Sequence, residues 1–165
     1  MAFHPEARIP SGGSAGLAVE PQEAPKTPRV TTRRVVGVAG FAALLMLAID
    51  EMVDAGHGHL GPIRIWETAL ADTIAPSPTL TTLLVVALHF FVATLYAGLI
   101  AAIVVRMTAR QSVTVGAIFG FVLYAWHFYG MTPFVPWLAA GRDVVNLSAH
   151  LVFGVVTATL LRARS

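Results

Sequence analysis

The chain has 165 residues, of which 56% are hydrophobic and only 12% are charged. Soluble domains carry about 25% charged residues, so this composition excludes an ordinary soluble domain, and it equally excludes a chain that is disordered throughout. Cysteine is absent, which excludes disulfides, iron–sulfur clusters and thiolate metal sites. The net charge is +2, and the few basic residues do not indicate a nucleic-acid partner.

Residues 1–32 have the composition of a disordered tail. They include five prolines and the run Ser11-Gly12-Gly13-Ser14, and they show no apolar periodicity. Such a segment cannot bury enough apolar surface to offset the entropy lost when it is ordered. We therefore expect a disordered tail ahead of a membrane domain at 33–162.

Four apolar runs follow the tail, at about 35–53, 81–105, 112–131 and 144–161. A helix that crosses a bilayer needs about 20 mostly apolar residues, with a range of about 17–25, and each run satisfies this. None shows the polar–apolar alternation of a barrel strand. The sequence therefore predicts an all-α polytopic membrane protein whose four transmembrane helices form a bundle.

The distribution of Lys and Arg predicts the orientation of these spans. Nine of the eleven lie in the tail, in the link between the second and third spans or at the C-terminus, which four spans place on one side of the membrane. The other two, Arg64 and Arg142, fall on the opposite side. Because cytoplasmic segments carry the excess of Lys and Arg, we expect both termini in the cytoplasm.

The two halves of the membrane domain resemble each other. The second span has His89 followed by Ala93, and the fourth has His150 followed by Gly154. Each pair of spans also encloses an outer link that contains a tryptophan. This pattern is typical of two related two-helix repeats about an axis along the membrane normal, although small residues also recur in membrane helices without duplication.

Polar side chains recur at one depth of the predicted bundle. Four of them lie 16 or 17 residues from the nearest inner arginine of their spans, namely Asp50, His89, His127 and Asn146. That separation corresponds to about 24–26 Å of helix. His150 lies 12 residues from Arg162, or about 18 Å by the same rise. Because these residues share faces with small residues, which membrane helices turn toward one another, we expect them to converge inside the bundle.

This chemistry suits a divalent metal ion. Imidazole and carboxylate groups bind zinc, copper, iron or nickel. We predict a metal site formed by His89, His127, His150 and Asp50, with Glu51 and Asn146 as further candidate ligands. The spacing alone is not specific, because the sequence has neither the Glu-x-x-His pair of di-iron bundles nor a His-Glu-x-x-His motif.

A single b-type haem is the alternative cofactor. His89 and His150 lie on different spans, and each is followed four residues later by a small residue that leaves room for a porphyrin. Two axial histidines of this kind would make the protein an electron carrier. In a purely structural interpretation, each histidine only joins helices through hydrogen bonds.

The sequence indicates a protein that is not itself an enzyme. It contains no phosphate loop, nucleophile elbow or dinucleotide fingerprint. An accessory subunit with a polar site near the outer face is the main expectation, in contact with the lipid bilayer and in a homo-oligomer or larger membrane complex. A transporter or permease subunit and a purely structural membrane partner are the other two possibilities.

Two short stretches carry a resemblance to a type of membrane protein. They are HFFVATLYAG, from His89 to Gly98, and SAHLVFG, from Ser148 to Gly154. The chain resembles small four-span bacterial inner-membrane proteins with His-x-x-x-Gly/Ala motifs in their even spans. The resemblance implies that fold and a bacterial cytoplasmic membrane, and it implies no reaction. Asp50 and His127 are not part of it.

Overall fold

The computed structural model describes residues 30–57 and 77–162, and only the backbone of residues 50, 51 and 54–57. Four α-helices run through these residues: α1 (Thr32–His57), α2 (Pro78–Val104), α3 (Ala109–Ala125) and α4 (Val144–Leu161). A π-helical turn, Trp126–Gly130, continues α3, and a 3₁₀ helix, Pro136–Gly141, precedes α4. Within the described ranges, four helical segments are long and apolar enough to cross a membrane. The predicted all-α four-helix membrane bundle is confirmed.

Side-chain caps determine where three of the helices begin. The Ser77 hydroxyl accepts a hydrogen bond from the Leu80 N–H at the start of α2. Thr108 and Gln111 form a capping box at the start of α3. The Asp143 carboxylate accepts from two backbone N–H groups at the start of α4. Each cap pairs N–H groups that the first turn of a helix leaves unbonded.

Unlike a soluble protein, the bundle exposes many large apolar side chains, and small residues are common where its helices meet. Ala39, Ala43 and Ala97 are fully buried, whereas Leu83 and Phe91 are 63% and 61% exposed. Small residues allow membrane helices to approach closely, and lipid tails solvate the large side chains outside. The described helices are therefore suited to contact with a lipid bilayer.

Helix α4 is central to the packing and contacts the three other helices. Its most extensive contact is with α3, whereas α2 and α3 contact each other much less. Ile100, Val104 and Leu161 fill the interior where the helices meet. The bundle is thus tight around α4 and comparatively open between α2 and α3.

Three glycines allow the close contact between α3 and α4. A Cβ atom on Gly120 would collide with the His150 carbonyl, and one on Gly154 would collide with the Gly116 carbonyl. The sequence Gly116-x-x-x-Gly120, a small-residue motif at which membrane helices pack closely, therefore serves contacts within the chain. By contrast, a Cβ atom on Gly98 of α2 would meet no atom within 4 Å.

One arginine joins the first helix to the last. The Arg34 guanidinium donates hydrogen bonds to the Leu160 carbonyl at 2.7 Å and the Arg162 carbonyl at 3.2 Å. It therefore pairs carbonyls that the end of α4 leaves unbonded and places a positive charge at the negative end of that helix. The start of α1 and the end of α4 lie on the same side of the bundle.

Two predicted features lie outside the described residues. They are most of the N-terminal tail at 1–32 and the tryptophan of the link between the first two spans.

Gly154→Ala is expected to destabilise the protein by about 1–3 kcal/mol, because the added methyl group overpacks the α3–α4 contact. Gly98→Ala is the matched control, and it should leave stability unchanged or slightly raised because alanine favours the helix and the space is open. Thermal unfolding in one detergent measures both. Equal melting temperatures for the two variants would contradict the close α3–α4 contact.

Candidate ligand site: a histidine cluster in a membrane-embedded cavity

A cavity of about 300 Å³ lies between α1, α2, the π-helical turn and the link before α4. Its lining is mostly apolar, with valine, leucine, methionine and aromatic side chains. Among the described residues, the polar groups on its wall include three histidines and one tyrosine, namely His89, His127, His150 and Tyr96. A mostly apolar cavity with a few convergent polar groups is the usual form of a small-ligand site.

The π-helical turn determines where the His127 side chain lies. The Met131 N–H donates to the Trp126 carbonyl at 2.8 Å, five residues back. The widened turn leaves the Phe128 carbonyl to accept from the Arg142 Nε at 2.7 Å and from the Thr132 hydroxyl at 2.5 Å. Single π-helical turns are frequent at functional sites. Here the turn, joined by Arg142 to the link before α4, carries His127 on the cavity wall.

Three side chains form a hydrogen-bonded chain that ends on the backbone. The Tyr96 hydroxyl lies 3.0 Å from His127 Nε2, and His127 Nδ1 lies 3.2 Å from His150 Nε2. His150 Nδ1 lies 2.8 Å from the carbonyl oxygen of Asn146. The chain crosses from α2 through the π-helical turn to α4, and it joins three elements of the bundle.

The Asn146 carbonyl fixes the direction of this chain when the histidines are neutral. A carbonyl oxygen only accepts, so His150 Nδ1 carries the proton and His150 Nε2 accepts. His127 Nδ1 must then donate to His150, which leaves His127 Nε2 to accept from the Tyr96 hydroxyl. The chain cannot conduct protons beyond His150, because its last acceptor is a backbone carbonyl.

Asn146 also joins the chain to the N-terminal end of α4. Its side-chain amide donates to the Asp143 carboxylate at 2.9 Å, and that carboxylate caps the helix. Asn146 is fully buried. It lies one turn from His150 toward the N-terminal end and supports that ring through its backbone carbonyl. Its buried side-chain oxygen has no partner among the described residues, so its role as a metal ligand stays a prediction.

His89 lies against the same cavity without a place in the chain. Its ring lies near the backbone of Ala43 in α1. Among the described residues, nothing pairs with its buried Nε2 atom. A smaller void of about 40 Å³ is lined by all three histidines together with Met46 and Tyr96. The side chains of His89, His127 and His150 thus lie around one void.

The two acidic candidate ligands stay predictions. The side chains of Asp50 and Glu51 lie outside the described residues, although α1 carries Asp50 one turn beyond Met46. In the part of the chain that the structure describes, no three His, Cys, Asp or Glu side chains are close enough to hold a metal ion as they stand. A metal would have to draw the histidine rings together.

The sequence analysis did not include Tyr96 among the candidate site residues and missed its bond to His127. The signal was present, because Tyr96 follows His89 by seven residues and therefore lies on the same face of α2 two turns away. Met46 was also not among the candidate site residues. Its place on the cavity wall depends on how α1 and α2 pack, which the sequence does not contain.

The geometry does not favour the haem alternative. The Nε2 atom of His150 that would bind iron faces His127 Nδ1 at 3.2 Å. Helices α2 and α4, which carry His89 and His150, also pack directly against each other. A porphyrin between those two histidines would have to break the hydrogen-bonded chain and separate the helices.

Comparison of the chain with protein-family models, with curated proteins and with solved structures gives no match.

Proposed function

We propose that this integral membrane protein is a non-enzymatic binding protein or accessory subunit that holds a divalent transition-metal ion at the histidine cluster. The observation that carries the proposal is the 3.2 Å separation of His127 Nδ1 and His150 Nε2. Two imidazole nitrogens that bind one zinc-like ion at about 2.0–2.1 Å in tetrahedral geometry lie about 3.3–3.4 Å apart. The pair already has the spacing of two ligands.

Both rings also have the outer hydrogen bonds that metal-binding histidines use. The His150 Nδ1 proton is held by the Asn146 carbonyl, which leaves Nε2 for the ion. For His127 to bind through Nδ1, its proton moves to Nε2, and the Tyr96 hydroxyl rotates to accept it. Such outer partners orient ligating imidazoles. This proton shift changes the tautomer of His127, and both imidazole rings remain neutral.

His89 is the third ligand in this proposal. Its unpaired Nε2 and the void that it shares with the other two histidines support the assignment. Asp50 is the fourth ligand, as the sequence predicts from its depth. Imidazole with carboxylate favours zinc, copper or nickel, and the Met46 thioether on the void would favour copper.

The location of the protein is part of the same proposal. The excess of Lys and Arg on one face places both termini in the cytoplasm, and the resemblance of the even spans to small bacterial inner-membrane proteins supports a cytoplasmic membrane. The site then lies in the outer part of the bundle. A homo-oligomer or larger membrane complex would supply the activity that this small bundle serves.

Metal binding is tested on full-length protein in lipid nanodiscs after treatment with a chelator. Titration with Co²⁺, followed by its visible absorption, should reveal one saturable site per chain. His127→Gln should abolish that absorption. Tyr96→Phe should weaken binding about 10–100-fold, the usual effect of removing an outer-shell partner.

A double variant with His57→Ala and His59→Ala is the matched control, because it removes two other histidines of the chain and leaves the cluster intact. It should bind Co²⁺ as the wild type does. Binding that is lost in this control and kept in His127→Gln would overturn the proposal, as would a wild-type protein with no saturable site.

The orientation is tested by single cysteines, for which the cysteine-free chain is a natural background. Gln111→Cys, near the inner arginines, should react with a membrane-impermeant maleimide only after cells are opened. Phe134→Cys, which is 79% exposed in the second outer link, should react in intact spheroplasts. The opposite labelling pattern would invert the proposed topology.

A further inference from the structure

The main cavity is larger and more apolar than a metal site requires. Its volume of about 300 Å³ reaches the lower end of the range for small-molecule sites, about 300–1,000 Å³. The histidines and Tyr96 occupy one part of the wall, and Val85, Leu88 and Val92 of α2 line another. Most of this space would therefore surround the body of an apolar ligand.

The mouth of the cavity faces the lipid-exposed side of the bundle. Leu88 of α2 and Trp126 of the π-helical turn both line the cavity, and they are 41% and 54% exposed. They lie on α2 and on the π-helical turn that continues α3, and α2 and α3 contact each other only sparsely. Leu84 and Val122, one turn away on either side, are exposed apolar residues. An occupant would thus enter from the bilayer, between α2 and α3.

The polar part of the wall determines which end of a ligand it would hold. His89 Nε2 is buried and lacks a partner among the described residues, and a buried imidazole nitrogen without a hydrogen bond is costly. This nitrogen either donates or accepts, according to its tautomer. A hydroxyl group satisfies it in both cases, because a hydroxyl is both donor and acceptor.

We propose that the cavity takes up from the bilayer a small lipid-soluble alcohol or phenol, with its hydroxyl on His89 and its apolar body against Val92, Leu88 and Trp126. This binding does not require the metal of the proposed function. Because the metal would also use His89, the two ligands are expected to compete.

The test uses n-octanol carrying a diazirine on its chain, with chelator-treated, full-length protein in nanodiscs. After irradiation, mass spectrometry should locate the label on the segments around Val92 and Trp126. Excess unlabelled n-octanol should remove that label, and excess n-octane should compete much less. Label spread evenly over lipid-facing residues and insensitive to n-octanol would mean simple partition into the bilayer and would overturn the proposal.

Three variants assign the effect to the cavity. Val92→Phe fills the cavity and should abolish the label that n-octanol competes away. Leu99, on the same helix, is 55% exposed and faces lipid, so Leu99→Phe should leave that label unchanged. His89→Leu should raise the n-octanol concentration for half competition about fivefold, the effect of one hydrogen bond. Equal competition in Val92→Phe and Leu99→Phe would also overturn the proposal. Because the metal has been removed, neither outcome depends on Co²⁺ binding.

Discussion

The close approach of α3 and α4 at Gly116, Gly120 and Gly154 is the constraint on which the rest of the structure depends. It leaves no room for a Cβ atom between the two backbones. His150 lies on the contact itself, with its carbonyl against Gly120. Because α3 continues directly into the π-helical turn, the same contact brings His127 within 3.2 Å of His150. The packing of two helices thus determines the geometry of the candidate site.

The apolar surroundings explain why the polar groups are arranged as one directed chain. In a low dielectric an unpaired polar group is costly, and hydrogen bonds in a chain strengthen one another. The Asn146 carbonyl determines which nitrogen of His150 carries the proton. This determines the tautomer of His127 and the direction of the Tyr96 hydroxyl in turn. His89 still has a buried nitrogen that no described side chain pairs, and the side-chain oxygen of Asn146 is likewise unpaired. Both proposed ligands, the metal ion and the alcohol, would satisfy that nitrogen.

The fold could be predicted from the sequence because a helix that spans a bilayer requires a long apolar run. The chain has four such runs, separated by links that contain charged residues. Depth counting also grouped His89, His127 and His150, but it placed His150 about one turn deeper than His127. A count along ideal helices does not include the directions of the side chains, which bring the His127 and His150 rings within 3.2 Å. The hydrogen bond between Tyr96 and His127 and the opening between α2 and α3 depend on how the helices pack. Residue spacing within one helix does not predict that packing.

The directed chain is tested most directly by nitrogen-15 NMR of histidine-labelled protein in nanodiscs without metal. Long-range nitrogen–proton spectra distinguish a protonated Nδ1 from a protonated Nε2. The structure predicts neutral His127 and His150, both protonated at Nδ1, and a shift of the His127 Nε2 resonance in Tyr96→Phe. An Nε2-protonated tautomer at His150, or a His127 resonance that Tyr96→Phe leaves unchanged, would contradict the chain on which the candidate site depends.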